Sequence, residues 1–131
     1  MSSKSTSGRV LVVDDEPMLR AAFLRALAPR HDVIEAAGGA EALEHIERGG
    51  PFDVVLCDVM MPDVDGPAVY EATRDRHPSL LERFVFLTGG VFTARTRDFL
   101  ASVRALVLEK PVSVDLLLAV IDQVAAGPAA G

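Results

Sequence analysis

Carboxylate side chains follow two of the short apolar runs in this sequence. Asp14, Asp15 and Glu16 come directly after one run, and Asp58 comes directly after another. If three such carboxylates meet in one crevice, each pair at about 4 Å costs about 1 kcal/mol in water and about 4 kcal/mol at a surface-like dielectric. A cation normally offsets such repulsion, and a few carboxylate oxygens suit Mg²⁺, which keeps several waters and often bridges to a phosphate. The pattern therefore indicates a hard-cation site suited to phosphate chemistry.

A hydroxyl and a single ammonium group follow two further apolar runs. Thr88 ends one run, and Lys110 follows another after a single Glu. Of the 13 basic residues, only Lys4 and Lys110 are lysines, and Lys4 lies in a polar N-terminal segment. Arg is a planar fork and Lys a compact point charge, so the two are not interchangeable at a phosphate or acyl-phosphate site. The isolated Lys110 therefore predicts a counter-charge for the carboxylates or for a phosphoryl group.

These side chains can meet only if the apolar runs are neighbouring parallel strands. The sequence predicts strands at Arg9–Val13, Asp32–Ala36, Asp53–Cys57, Arg83–Leu87 and Ala105–Leu108. Near-continuous apolar runs are typical of strands buried on both faces of a parallel sheet, whereas the mixed Asp32–Ala36 run suits an edge. Helical periodicity between the runs predicts helices at Pro17–Ala28, Gly39–Arg48, Gly66–His77, Thr93–Val103 and Ser113–Ala125.

This alternation predicts a (βα)5 fold of the α/β class, a three-layer doubly wound parallel sheet with right-handed connections. In the flavodoxin-like strand order 2-1-3-4-5 the order reverses between strands 1 and 3, and ligands bind outside the carboxyl ends there. Asp14, Asp15 and Asp58 are therefore expected to converge. Taken singly, Asp15 or Glu16 could cap the first helix, and Asp58 or Lys110 could be ordinary loop residues. The placement of all these residues at strand ends favours a shared binding site over these separate structural roles.

Length and composition restrict the function classes further. With 131 residues, 13 Lys+Arg and 19 Asp+Glu, the chain supports one domain of net charge −6. We expect the folded domain at 9–125, a disordered tail at 1–8 and a C-terminal tail or linker stub at 126–131.

The acidic net charge argues against direct nucleic-acid binding. The longest apolar run, Leu116–Ile121, is too short to span a bilayer. The single Cys57 excludes an intrachain disulfide. A cytoplasmic domain without direct membrane contact is the expectation.

Taken together, the motifs resemble those of response regulator receiver domains from two-component phosphorelays. The residues that carry the resemblance are Val10-Leu-Val-Val-Asp14-Asp15-Glu16, Asp58-Val-Met-Met-Pro62-Asp-Val-Asp65-Gly66, Phe86-Leu-Thr88-Gly-Gly and Leu108-Glu-Lys110-Pro111. The resemblance covers about residues 9–125. The segment Thr88-Gly-Gly-Val-Phe-Thr-Ala-Arg and the ending Leu108-Glu-Lys-Pro look most like receivers appended to hybrid histidine kinases.

The resemblance implies a phosphoacceptor function. Asp58 would attack the phosphorus of a phosphohistidine on a histidine kinase or a histidine phosphotransfer protein, and Thr88 and Lys110 would bind the phosphoryl oxygens. The acyl phosphate would also hydrolyse slowly, and the domain would not otherwise be an enzyme. The family usually has a cis Lys–Pro peptide, here Lys110–Pro111, and it often pairs through its fourth and fifth helices.

The same resemblance implies a metal site. Mg²⁺, with Mn²⁺ as an acceptable substitute, would be held by the carboxylates of Asp15 and Asp58 and by the backbone carbonyl of Met60. Asp14 would act mainly through a metal-bound water.

The sequence departs from the family pattern at Val107, where receivers commonly carry an aromatic residue. Val107 has no ring and a stiff χ1, so we expect signal transmission through backbone motion after Thr88.

Two alternative functions remain open at this point. A docking module that is never phosphorylated would typically lose part of the acidic set, which is complete here. A phosphatase with an Asp nucleophile would want a second Asp two residues later, where this chain has Met60.

Overall fold

Five short runs of apolar and β-branched residues form one parallel sheet. The computed structural model describes residues 8–90 and 93–127. Its strands are β1 (Arg9–Val13), β2 (Asp32–Ala36), β3 (Val54–Asp58), β4 (Phe84–Thr88) and β5 (Leu106–Glu109). The strand order is β2-β1-β3-β4-β5, and every neighbouring pair is parallel. The predicted flavodoxin-like α/β fold is therefore confirmed, with the mixed strand β2 at an edge.

Four α-helices connect the strands and a fifth follows β5, in the predicted order. They are α1 (Pro17–Leu27), α2 (Gly39–Gly49), α3 (Gly66–Arg76), α4 (Ala94–Ser102) and α5 (Val114–Ala125). The hydroxyl of Ser113 accepts a hydrogen bond from the backbone N–H of Leu116 and so caps the start of α5. Pro78 follows α3, and Pro78–Arg83 forms a 3₁₀ segment that the predicted helices and strands do not include. Among the helices in the described part of the chain, none has the length and apolarity to cross a bilayer.

The sheet separates two hydrophobic cores because alternate strand residues point to opposite faces. In β1, Leu11 and Val13 pack into the core beneath α2, α3 and α4, whereas Val10 and Val12 pack into the core beneath α1 and α5. Strand β3 is buried along its whole length, as a central strand covered on both faces must be. The residues at its carboxyl end are therefore held by a rigid element.

The last three strands begin and end one residue later than predicted. The ladder pairs Asp58 with Leu87 and Thr88 with Glu109, so Asp58 and Thr88 are the final residues of β3 and β4 rather than the first loop residues. The prediction was wrong here because it followed apolarity, whereas a strand ends where its backbone hydrogen bonds end. The consequence is functional, since both side chains gain the orientation of a hydrogen-bonded strand.

Several predicted features fall at the limits of the described residues. Most of the expected tails lies outside them, as do Val91 and Phe92 of the motif after β4. Gly8 is described and buried, and its backbone N–H donates to Nδ1 of His31 at 3.0 Å. The peptide bond Lys110–Pro111 is cis as expected, and Gly50–Pro51 is also cis, which the sequence analysis did not predict.

Candidate functional site

Three carboxylates meet where the strand order reverses. Asp14 follows β1, Asp15 is the next residue, and Asp58 ends the neighbouring strand β3. One oxygen from each of the three lies within 4.8 Å of the other two. Asp14 is fully buried, and Asp58 is only 5% exposed. The predicted convergence of these residues is confirmed.

Asp14 is anchored through its backbone and through one of its two carboxylate oxygens. Its backbone N–H donates to the carbonyl of Ala36, and its Oδ1 accepts from the backbone N–H of Glu16 at 2.8 Å. The guanidinium of Arg20 donates to the Asp14 carbonyl at 2.7 Å. No described group forms a hydrogen bond with Oδ2 of Asp14, although this atom is buried. Such an atom normally has a partner in a native protein.

Burial changes the acidity of both inner carboxylates. Desolvation raises the pKa of Asp14, against the hydrogen bond from Glu16 and the charge of Lys110, which lower it. Desolvation also raises the pKa of Asp58, with opposing effects from the hydrogen bond and charge of Lys110. A cation in the crevice would oppose both shifts, since positive charge favours the ionised carboxylate.

Lys110 supplies the positive charge that the sequence analysis predicted. Its Nζ donates to Oδ2 of Asp58 at 3.1 Å and lies 3.6 Å from Oδ2 of Asp14. Burial alone would lower the pKa of Lys110, but the hydrogen bond and charge of Asp58 outweigh it and hold the pKa above its usual value. Its backbone N–H donates to the carbonyl of Thr88, which couples the ends of β4 and β5. The single lysine of the described residues therefore lies against two of the three carboxylates.

Thr88 lies at the end of β4, and its hydroxyl oxygen accepts a backbone hydrogen bond. The backbone N–H of Gly90 donates to Oγ1 of Thr88 at 3.1 Å, and the side chain is 5% exposed. Gly90 has φ of +90°, and a Cβ atom there would lie 2.8 Å from Oε2 of Glu109. The positive φ favours glycine at this position, whereas the flexible Glu109 side chain could move away from an added Cβ. Because the Gly90 N–H occupies a lone pair of the hydroxyl, the proton of that hydroxyl remains free to donate.

Met60 borders the site two residues after Asp58. It is 43% exposed, and the hydroxyl of Thr96 in α4 contacts its sulfur at 3.8 Å. Val107 is 40% exposed and pairs with Phe86 across the β4–β5 ladder. The position where receivers commonly carry an aromatic ring therefore offers a small, half-exposed side chain.

Sequence reasoning missed the residues that hold the loop after β3. Asp65 caps α3, because its Oδ1 accepts from the backbone N–H of Ala68, while its Oδ2 pairs with Arg95 of α4 at 2.5 Å. An Asp immediately before Gly66-Pro67 is a recognisable helix start. The pairing with Arg95 has no signal in the sequence, since the two residues are far apart along the chain.

Comparison with known proteins identifies the family. The model of the response regulator receiver domain matches residues 10–122, which is nearly the whole fold. The chain therefore belongs to the response regulator receiver domains, signalling modules whose acidic pocket corresponds here to Asp14, Asp15 and Asp58.

Individual relatives agree with this assignment. The chain is 39% identical over 121 residues to the sensor kinase CckA of Brucella abortus, covering 91% of this chain and 13% of the kinase. It is 29% identical over 113 residues to the hybrid signal transduction histidine kinase H of Dictyostelium discoideum, covering 83% of this chain and 8% of that protein. The receiver domain of the Francisella response regulator 1452 superposes with a TM-score of 0.77 at 26% identity, covering 91% of this chain and 97% of that domain. The chain thus spans a small part of these kinases.

Proposed function

We propose that this domain accepts a phosphoryl group on Asp58 from a phosphohistidine of a histidine kinase or a histidine phosphotransfer protein. A carboxylate oxygen of Asp58 forms the new O–P bond, the N–P bond of the phosphohistidine breaks, and the imidazole leaves with that electron pair. The product is an acyl phosphate, which water then hydrolyses slowly. Phosphoryl transfer needs positioning and charge neutralisation more than covalent activation.

The observation that carries this proposal is the contact between Lys110 and Asp58. A buried, strand-held carboxylate 3.1 Å from a single ammonium group has a nucleophilic oxygen and a counter-charge in fixed geometry. In the proposed transfer, Lys110 neutralises an oxygen of the incoming phosphoryl group, and the hydroxyl of Thr88 donates to another. The Gly90 N–H orients that hydroxyl.

The residues present also fit a bound Mg²⁺. The buried Oδ2 of Asp14 lacks a hydrogen-bond partner among the described groups, and hard carboxylate oxygens are the donors that Mg²⁺ prefers. In our proposal Asp15, Asp58 and the carbonyl of Met60 hold the ion, Asp14 acts mainly through a water, and Mn²⁺ can substitute. The ion supplies positive charge that neutralises the phosphoryl oxygens.

Membership in the family also supports proposals about the domain bounds, the location and the partners. We propose that residues 9–125 act as one receiver domain in the cytoplasm, with no direct contact with nucleic acid or membrane. We also propose that the phosphorylated state changes partner binding, that the domain is not otherwise an enzyme, and that any homodimer forms through α4 and α5.

Labelling with a small phosphodonor tests the proposal. With Mg²⁺ and acetyl phosphate, we expect one hydroxylamine-labile phosphoryl group per chain, measured by intact-protein mass spectrometry. The label should disappear in Asp58→Asn and after chelation of Mg²⁺, because each removes a required group. Asp98→Asn, which changes an exposed carboxylate of α4, should label like the unchanged protein.

The other outcomes identify the alternatives. Steady turnover of diverse phosphate esters would favour the Asp-nucleophile phosphatase. Absence of labelling by small donors and by kinases would favour a docking module that is never phosphorylated.

A further inference from the structure

A surface cavity of about 500 Å³ opens far from the acidic pocket. Its lining comes from α3, from the 3₁₀ segment and from the loop after α4, and includes Tyr70, Arg74, Leu81, Glu82, Val103 and Arg104. The 3₁₀ segment and this loop precede β4 and β5, so the cavity lies at the amino ends of these strands. The acidic pocket lies at the opposite, carboxyl edge of the parallel sheet. A ligand in this cavity would therefore leave Asp58 accessible.

Two exposed arginines form part of the lining of this cavity. Both Arg74 and Arg104 are exposed. Among the described residues, no ion pair forms at either side chain, in contrast to Arg76, which pairs with Glu47 at 2.6 Å. The one carboxylate of the lining is Glu82, so two positive charges face one negative charge.

Other cavities of the described residues differ in charge. A cavity between α2 and α3 balances Glu44 and Glu47 against Arg48 and Arg76. A cavity beside the acidic pocket is lined by Asp15, Glu41 and Asp63. In a chain of net charge −6, the cavity of Arg74 and Arg104 is thus a local positive surface.

The apolar part of the cavity lining packs against the hydrophobic core. The ring of Tyr70 packs edge-on against Phe84 and Phe99, with ring centroids 5.2 Å and 5.4 Å apart. Leu81 and Val103 are half-buried and pack against the same core. The cavity therefore combines an apolar wall that packs against the core with a guanidinium group on each of two elements, which is the arrangement of an anchor pocket with a charged rim.

We propose that this cavity docks an acidic peptide segment of a partner protein. One apolar side chain of the segment packs against Tyr70, Leu81 and Val103, and flanking carboxylates pair with Arg74 and Arg104. The guanidinium fork matches a carboxylate with two parallel hydrogen bonds. A small inorganic anion would leave the apolar wall unused, so the combination favours a peptide.

A synthetic peptide of sequence EELEE, acetylated and amidated, is a suitable probe. We expect saturable amide NMR shifts confined to α3, the 3₁₀ segment and the loop after α4. Tyr70 is the single tyrosine and the chain has no Trp, so its intrinsic fluorescence should change with the same Kd. The double variant Arg74→Gln/Arg104→Gln should weaken binding about tenfold or more, because charge-assisted hydrogen bonds are lost.

Matched controls distinguish peptide binding in this cavity from nonspecific electrostatic attraction to the protein surface. Arg25→Gln/Arg97→Gln removes two exposed arginines of α1 and α4 and should change Kd by less than about twofold, as expected for surface charges outside the interface. The uncharged peptide QQLQQ should not bind. Equal weakening by both double variants, shifts mapped elsewhere or no shifts at millimolar peptide would overturn the proposal. Equal binding of EEEEE or inorganic phosphate would overturn the peptide assignment in favour of a simple anion.

Discussion

At the residue scale, the two oxygens of Asp14 have different environments. Oδ1 accepts from the backbone N–H of Glu16, whereas Oδ2 is buried without a hydrogen bond from the described residues. The Lys110 ammonium, 3.6 Å away, gives partial electrostatic compensation but lies closer to Asp58. The three carboxylates of the crevice therefore carry more negative charge than Lys110 neutralises, which is a stability cost that a bound cation would offset.

Asp14→Asn should raise the free energy of unfolding in EDTA by about 1 kcal/mol or more, because a buried charge and its repulsion from Asp15 and Asp58 are removed. The same substitution should reduce the extra stability that Mg²⁺ gives the unchanged protein, since a ligand that binds only the folded state stabilises it. Urea unfolding in EDTA and in Mg²⁺ measures both quantities. Asp75→Asn, exposed in α3, is the control and should change neither. A less stable Asp14→Asn protein in EDTA would contradict this account.

At the element scale, the start of α3 is packed directly against the backbone at the carboxyl end of β3. A Cβ atom on Gly66 would lie 2.7 Å from the carbonyl oxygen of Asp58 and 2.9 Å from Cα of Val59. The backbone N–H of Gly66 donates to the carbonyl of Val59 at 2.9 Å. Both nearby atoms belong to backbone, which cannot move aside as a flexible side chain can. The glycine therefore lets α3 determine where Asp58 lies.

Gly66→Ala should destabilise the protein by about 1–3 kcal/mol, the usual cost of overpacking. It should also slow labelling of Asp58 by acetyl phosphate, because the strand end must shift. Gly38→Ala is the matched control, since no atom lies within 4 Å of its added Cβ, and it should change stability by less than about 1 kcal/mol. Equal effects of the two substitutions in urea unfolding would show that the close approach has no energetic consequence.

At the scale of the whole molecule, His31 connects the start of the sheet with the last helix. Its Nδ1 accepts from the backbone N–H of Gly8, so the ring proton is assigned to Nε2, which faces Oδ1 of Asp122 in α5 at 2.8 Å. Arg30 also pairs with Asp122, and Arg83 donates to the carbonyl of Val124 at 2.9 Å. The end of α5 is thus attached to two other segments, the turn of Arg30 and His31 and the residue Arg83, at the edge of the sheet opposite the acidic pocket.

His31→Ala should destabilise the domain by about 2–4 kcal/mol, because it leaves a cavity, an unpaired Gly8 N–H and a less satisfied Asp122. His45→Ala is the control on α2, where His45 lies 3.8 Å from Glu41 near the surface, and it should cost less than about 0.5 kcal/mol. Urea unfolding followed by far-UV circular dichroism compares them. Labelling of Asp58 should persist in folded His31→Ala protein, and its selective loss there would show that the two ends of the domain are coupled.

The pattern of residue types along the chain determines the fold and most of the candidate site. Apolar strands and amphipathic helices alternate, so one sheet order places Asp14, Asp15, Asp58, Thr88 and Lys110 at the same edge. This part was predictable because side-chain alternation and strand burial are local properties that the sequence records directly. The one-residue shift of β3 to β5 was not predictable from apolarity, because ladder hydrogen bonds between distant segments decide it.

Tertiary structure alone decided the features that depend on distance between remote residues. The unpaired Oδ2 of Asp14, the 3.1 Å contact of Lys110 with Asp58 and the pairing of Asp65 with Arg95 each require elements that are far apart in sequence. Arg74 and Arg104 are likewise brought to one cavity by the packing of elements that are distant in sequence. A sequence specifies which groups are available and on which face of an element they lie. Packing of the elements determines their separation, and separation determines electrostatic and hydrogen-bond energies.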